Sequence, residues 1–136
     1  MRPTIYLAGP IRNGERPVEW RVKLQQSISA CEFFDPVGRD VDPVSDPAGV
    51  VNGDLEMIRE ADGVFVGWHD EVPATGTAME MRVASATLDM PVVVWRRDNN
   101  KRTLSPWVRE HSDAIHVNRD DAIWHLHTLA KGGDRR

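Results

Sequence analysis

The chain alternates between short apolar runs and longer segments whose apolar residues recur every three or four positions. Thr4–Ala8 (TIYLA) is apolar and ends in Gly9-Pro10, the mark of a buried strand running into a loop. From Pro17 the spacing becomes helical: Trp20, Leu24, Ile28 and Cys31 fall at i, i+4, i+8 and i+11, with Arg21, Lys23 and Gln25 on other faces. Residues 32–35 (EFFD) read as a weaker strand, and residues 36–49 as a loop rich in Pro, Asp and Gly, long enough in so small a chain to suggest function. Val51, Leu55 and Ile58 set a helical stripe to Ala61, with Asp54 one residue off it and in line with Ile58 and Ala61. Residues 62–68 (DGVFVGW) and 91–95 (PVVVW) are near-continuous apolar runs, as central parallel strands covered on both faces require. Between them lie a loop over residues 69–75 and an amphipathic helix that opens at Gly76 and Thr77, which puts Glu80 in its first turn. Residues 98–102 form a polar turn, 104–111 a short helix and 114–117 a last strand; Asn118 then caps a final helix carrying Ala122, Ile123, Leu126 and Ala130.

Strand and helix in alternation predict a single-domain α/β fold: a doubly wound, five-stranded parallel sheet with helices on both faces, flavodoxin- or Rossmann-like. The domain spans residues 1–131, with 132–136 as a disordered tail. In such folds ligands bind beyond the carboxyl ends of the strands, where strand order reverses. The loops 9–16, 36–49 and 69–75 all follow strands and are expected to converge on one cleft.

Composition narrows the picture further. With 136 residues and 40% hydrophobic content the chain holds one real core, and 17 Lys+Arg against 21 Asp+Glu leaves no electrostatic footprint for a nucleic acid polymer. A phosphorylated small molecule needs only one or two local basic groups and stays open. The lone Cys31 forms no internal disulfide, and no apolar stretch approaches a membrane span, so a cytoplasmic protein without membrane or nucleic acid partners is expected.

Among candidate groups, Glu80 and Asp54 would stand near helix starts above the same sheet edge, where the helix dipole favours an ionised carboxylate. Two carboxylates about 5 Å apart are the arrangement of retaining glycosidic chemistry, one attacking the anomeric carbon and the other handling the leaving-group proton. Each has a structural reading beside it: Thr77-x-x-Glu80 is also a capping box, and Asp54 an acidic helix start. Tyr6 sits in a buried strand and its hydroxyl needs a partner, a carboxylate or backbone. Arg12 with the amides of its loop could hold a phosphate, or be a solvated charge. Trp20, Trp68, Trp95 and Trp107 read as core or interface. No metal site emerges: His125-x-His127 lies on a helix where positions two apart diverge, and Asp40, Asp42 and Asp46 lack the spacing of a calcium loop.

The segments IYLAGPI, NGDLEMIREADGVFV, GTAMEMRVA and LSPWVREHSDAI, in that order, resemble the nucleoside 2-deoxyribosyltransferase superfamily, which includes a branch of nucleoside 5′-monophosphate N-glycosidases. The resemblance covers roughly residues 4–126. It implies Glu80 as the nucleophile that attacks C1′, Asp54 as the acid that assists departure of the base, and Tyr6 as the group orienting the nucleophile. Ile11, Arg12, Asn13 and Gly14, following Gly9, are similar to the phosphate-binding turn of the monophosphate branch, with Asn13 where glycine is usual. Ser105 resembles a serine that reaches the phosphate from a neighbouring subunit, and Thr75 and Gly76 fall beside the substrate. The resemblance further implies a homodimer or larger homo-oligomer and no metal or organic cofactor. Free-nucleoside transferases usually carry an Asp six residues before the nucleophile, where this chain has Ala74. The expected activity is therefore hydrolysis of a (deoxy)nucleoside 5′-monophosphate to base and sugar phosphate. A base-exchanging deoxyribosyltransferase is the alternative, and a non-catalytic nucleotide-binding module the alternative from another class.

Overall fold

The computed structural model describes residues 1–10, 19–98 and 101–134. Its elements follow one another as β1 (Thr4–Ala8), α1 (Glu19–Ser27), β2 (Glu32–Phe34), α2 (Pro47–Glu60), β3 (Gly63–Trp68), α3 (Thr75–Arg82), β4 (Val92–Arg96), α4 (Pro106–Glu110), β5 (Ala114–His116) and α5 (Arg119–Ala130). A π-helical turn over Val83–Thr87 prolongs α3. The five strands form one parallel sheet in the order β2-β1-β3-β4-β5, so strand order reverses between β1 and β3. This is the doubly wound α/β architecture expected from the alternating pattern. Among the described residues no helix is long and apolar enough to cross a membrane.

Strand alternation divides the core in two. Tyr6, Ala8, Val64, Val66, Val92 and Val94 face a layer completed by Ile58 and Ala61, Met81 and Val108. Ile5, Leu7, Phe65 and Val93 face Trp20 and Leu24 of α1 and Ala122, Ile123 and Leu126 of α5. Helices α2, α3 and α4 therefore share one face of the sheet, and α1 and α5 the other. On the second face Trp20 lies against the β3 backbone at Gly67, where a Cβ would fall 2.5 Å from the indole; only glycine permits that approach.

Two helix boundaries differ from expectation. Helix α1 stops at Ser27, whose hydroxyl donates back to the Lys23 carbonyl at 2.7 Å, so Ile28 and Cys31 are buried beyond its end rather than on it. Helix α2 begins at Pro47, four residues before Val51. Asp46 caps it, accepting the Gly49 N–H at 2.9 Å, and Pro47 supplies a preset first turn. The loop expected over 36–49 accordingly ends sooner, and Asp54 becomes the eighth of fourteen helical residues instead of an acidic helix start. Asn118 caps α5 as anticipated, accepting from Asp121 N–H at 3.0 Å.

Candidate active site

Helix α3 buries Thr77, Met81 and the following Ala84 against the sheet, and Glu80 shares their face at i+3 from Thr77. Helix α2 likewise buries Ile58 and Ala61, with Asp54 four and seven residues before them on the same side. Two helices packed side by side over β1 and β3 thus turn one carboxyl each toward the point where strand order reverses. Tyr6, on the matching face of β1, donates its hydroxyl to Glu80 Oε2 at 2.6 Å. Asp54 lies within side-chain hydrogen-bonding reach of Glu80. Three residues separated by 48 and 26 positions along the chain converge on one spot.

Glu80 is not placed as its motif suggested. It is the sixth of eight residues in α3, in the second turn, and the helix is capped by Ala74 with no side-chain bond, so no capping box forms. The dipole argument for an ionised carboxylate fails with it. Burial pushes the Glu80 carboxyl up to about 7; the neighbouring Asp54 pushes the same way, while the Tyr6 hydrogen bond and the Arg21 charge oppose them. Burial and the adjacent Glu80 raise the Tyr6 phenol, which stays a donor.

A cavity of about 210 Å³ opens beside the pair, between α2 and α3. Val50, Val51, Leu55, Met79 and Val83 give it apolar walls, Gly76 a bare edge, and Asp54 and Glu80 its only ionisable groups among the described residues. A narrow apolar slot ending in two carboxyls within hydrogen-bonding reach of one another suits an uncharged ring with one electrophilic carbon and one basic leaving group.

The other predicted residues are distributed as follows. Gly9 is buried at the end of β1 and its carbonyl accepts from Arg21. Thr75 opens α3 and is exposed. Ser105 caps α4, its Oγ accepting from Trp107 N–H at 3.2 Å; it does not line the carboxylate cavity of its own chain. Ile11, Arg12, Asn13 and Gly14 lie outside the described residues. His125 does not join His127 but meets His116, Nδ1 to Nε2 at 2.8 Å. Trp20 and Trp95 are core, packed against Phe65, whereas Trp107 is 71% exposed and stacks on His111.

Two arginines near the site carried no sequence signal. Arg21, expected on an outer face of α1, is wholly buried. Its guanidinium donates to the carbonyls of Leu7 at 2.7 Å and Gly9 at 2.9 Å and reaches Asp35 at 3.3 Å. It therefore collects the open carbonyls at the carboxyl end of β1 and places a positive charge behind Tyr6 and Glu80. Arg39, in the loop before α2, donates to Asp54 Oδ1 at 2.6 Å. A third group fixes the loop leading into α3: Asp70 accepts from Arg96 at 2.6 Å and from the Trp68 indole at 3.0 Å, while its N–H donates to Asp98.

The sheet order and its reversal point define a doubly wound α/β domain, a class whose ligands bind at that reversal, where the partly buried carboxyls of Asp54 and Glu80 stand. The family model for nucleoside 2-deoxyribosyltransferase matches residues 5–122, and the chain belongs to that family, which is one of enzymes. Among solved structures, a 2-deoxyribosyltransferase from Bacillus psychrosaccharolyticus is 27% identical, with a TM-score of 0.71 over 87% of this chain and 88% of that one. The 2-desoxiribosyltransferase from Leishmania mexicana is 15% identical, with a TM-score of 0.64 over 96% and 98%, and shares the fold. No curated protein sequence matches the chain.

Proposed function

We propose that the chain cleaves the N-glycosidic bond of a 2′-deoxynucleoside and passes the deoxyribosyl group to a second base. The observation that carries this reading is the Tyr6–Glu80–Asp54 cluster at the sheet's reversal point, in a family of deoxyribosyl transferring enzymes. Glu80, as carboxylate, attacks C1′ while the C1′–N bond breaks, and the leaving nitrogen takes a proton from the Asp54 carboxyl. The resulting ester on Glu80 is attacked by a ring nitrogen of the incoming base, which gives its proton back to Asp54 and frees the carboxylate. Tyr6 holds Oε2 and so aims the other oxygen of Glu80 at the sugar. With the Glu80 carboxyl pushed up to about 7 by burial, its charge changes close to neutral pH.

A second reading, hydrolysis of a nucleoside 5′-monophosphate, is favoured by Ala74. The α3 amide ends there have no side-chain cap and the helix's first turn holds no acidic residue, which tolerates a phosphate where an Asp at position 74 would repel one. Incubation with deoxynucleosides and monophosphates, with and without free acceptor base, separates the two. New nucleoside formed only with acceptor supports transfer; free base and sugar phosphate released from monophosphates in water support hydrolysis. Release of no base from any of them would leave a nucleotide-binding module and defeat both.

The same reading includes a homo-oligomer. Val51, Met79 and Trp107 are exposed, and Met79 links the carboxylate cavity to a second apolar hollow lined by Trp107 and His111. The Trp107 ring is held on His111, which itself bonds the Trp107 carbonyl and Arg82. A rigid exposed indole beside apolar hollows is the surface a second copy would cover. Sedimentation is expected to give a dimer or larger species, reduced to monomer by Trp107→Glu; a monomeric parent protein would refute this part.

A further inference from the structure

Asp54 stands mid-helix, beyond the reach of the α2 dipole, and beside the Glu80 carboxyl. Something else must fix its position and charge. The groups gathered around the pair are Tyr6 from β1, Arg21 from α1 and Arg39 from the loop before α2. Of these three described groups, Arg39 is the one that hydrogen-bonds Asp54. Its Nη2 donates to Asp54 Oδ1 at 2.6 Å and to the Val50 carbonyl at 2.8 Å, both ends of the ion pair being largely buried.

The helix is shaped to receive it. Gly53, next to Asp54, lies directly beneath the guanidinium: a Cβ there would overlap Arg39 Nη1. In the middle of an exposed helix glycine is unfavourable relative to alanine, so its place here is explained by the slot it leaves.

We infer that Arg39 is a positioning residue for the reaction proposed above: seated in the Gly53 slot, it holds Oδ1 of Asp54, leaving the other oxygen to exchange a proton with Glu80 and with the departing base. It touches neither sugar nor base and acts through Asp54. The inference rests on the glycosyl-transfer reading but is tested separately from it. Two variants remove the contact in different ways. Arg39→Gln deletes the charge, whereas Gly53→Ala keeps Arg39, favours the helix and pushes the guanidinium off Asp54.

In base-release assays on the full chain both variants should lower kcat on the order of 10–100-fold, the range expected when a catalytic group loses its aim, with KM changed less than about twofold. Arg39→Lys should recover part of the loss, and Gly53→Ala should not lower the melting temperature. Carboxyl 13C NMR gives a readout independent of turnover: in Arg39→Gln and Gly53→Ala the titration of the Asp54–Glu80 pair should move up by about one pH unit or more, because a neighbouring cation has left. An unmoved titration in both variants overturns the inference whatever the activity. Wild-type kcat in both variants overturns it too. A moved titration in a parent protein that releases no base would sustain the arginine's hold on Asp54 and refute the glycosyl-transfer reading alone.

Discussion

Glu80→Gln is expected to abolish turnover and, at pH 8, to make the protein more stable. The first effect follows from removing the carboxylate that Tyr6 holds at the cavity; losses for a covalent nucleophile are on the order of 10⁴-fold or more. The second follows from proton linkage. The Glu80 carboxyl titrates at 4.5 in the unfolded chain and is raised to about 7 by burial and by Asp54 in the folded one. Between those values the folded protein binds more protons than the unfolded chain, so stability is fully present below 4.5 and is lost as pH rises through 7. At pH 8 the ionised carboxylate then costs on the order of 3 kcal/mol. Glutamine carries no charge to bury, keeps an oxygen for the Tyr6 hydroxyl and offers Asp54 an N–H. Part of that sum should be recovered, raising the melting temperature by roughly 3–8 °C at pH 8 and hardly at all at pH 5. Thermal scans of both proteins across that range check it. A difference independent of pH would mean that Glu80 is not strained by its charge.

That prediction draws on residues whose types and spacing were legible in the chain. The apolar runs at 4–8, 62–68 and 91–95 could only be covered strands, and helical periods between them forced parallel connections, so the sheet and the convergence of loops at one edge followed. Asp54 was already in line with Ile58 and Ala61, which is why it points at the sheet. What misled was reading carboxylates as helix starts. The Asp46-Pro47 pair is an N-cap followed by a first-turn proline, and it starts α2 early enough to move Asp54 to mid-helix. The Ala74 cap of α3 has no side-chain signature at all. Both carboxyls were thus found for a reason that the fold replaces: they are held by Tyr6, Arg39 and each other rather than by helix ends.

The two arginines were illegible for another reason. An arginine among Glu, Lys and Gln on a helix reads as solvated, and what buries Arg21 is a demand set only once β1 ends at Ala8 with its last carbonyls unpaired by a neighbouring strand. Arg39 was invisible within a loop whose shape the chain does not announce.

Arg21→Met is expected to give the largest loss of stability of any single change near the site. Burial draws the guanidinium below its ordinary value while Asp35 pulls it back, and its donors satisfy the Leu7 and Gly9 carbonyls together with that carboxylate. Methionine fills much of the volume but satisfies none of the three acceptors. Removing one partner of a buried ionic group costs about 3–5 kcal/mol, a large share of the roughly 5–15 kcal/mol that holds a domain folded. Arg21→Lys should lose less, because an ammonium keeps the charge and can reach one or two of the acceptors but cannot span them as a planar fork does. A functional consequence accompanies the structural one. Arg21 is the cation opposing the burial that raises Glu80, so in any folded fraction of Arg21→Met the Glu80 carboxyl should move further above 7 and the ionised nucleophile become scarcer at neutral pH. Urea unfolding of the three proteins measures the first effect. The acid limb of the pH–rate profile, shifted upward in Arg21→Met and little changed in Arg21→Lys, measures the second. Equal unfolding midpoints and superimposable profiles would show that the guanidinium behind β1 supports neither the sheet edge nor the charge of Glu80.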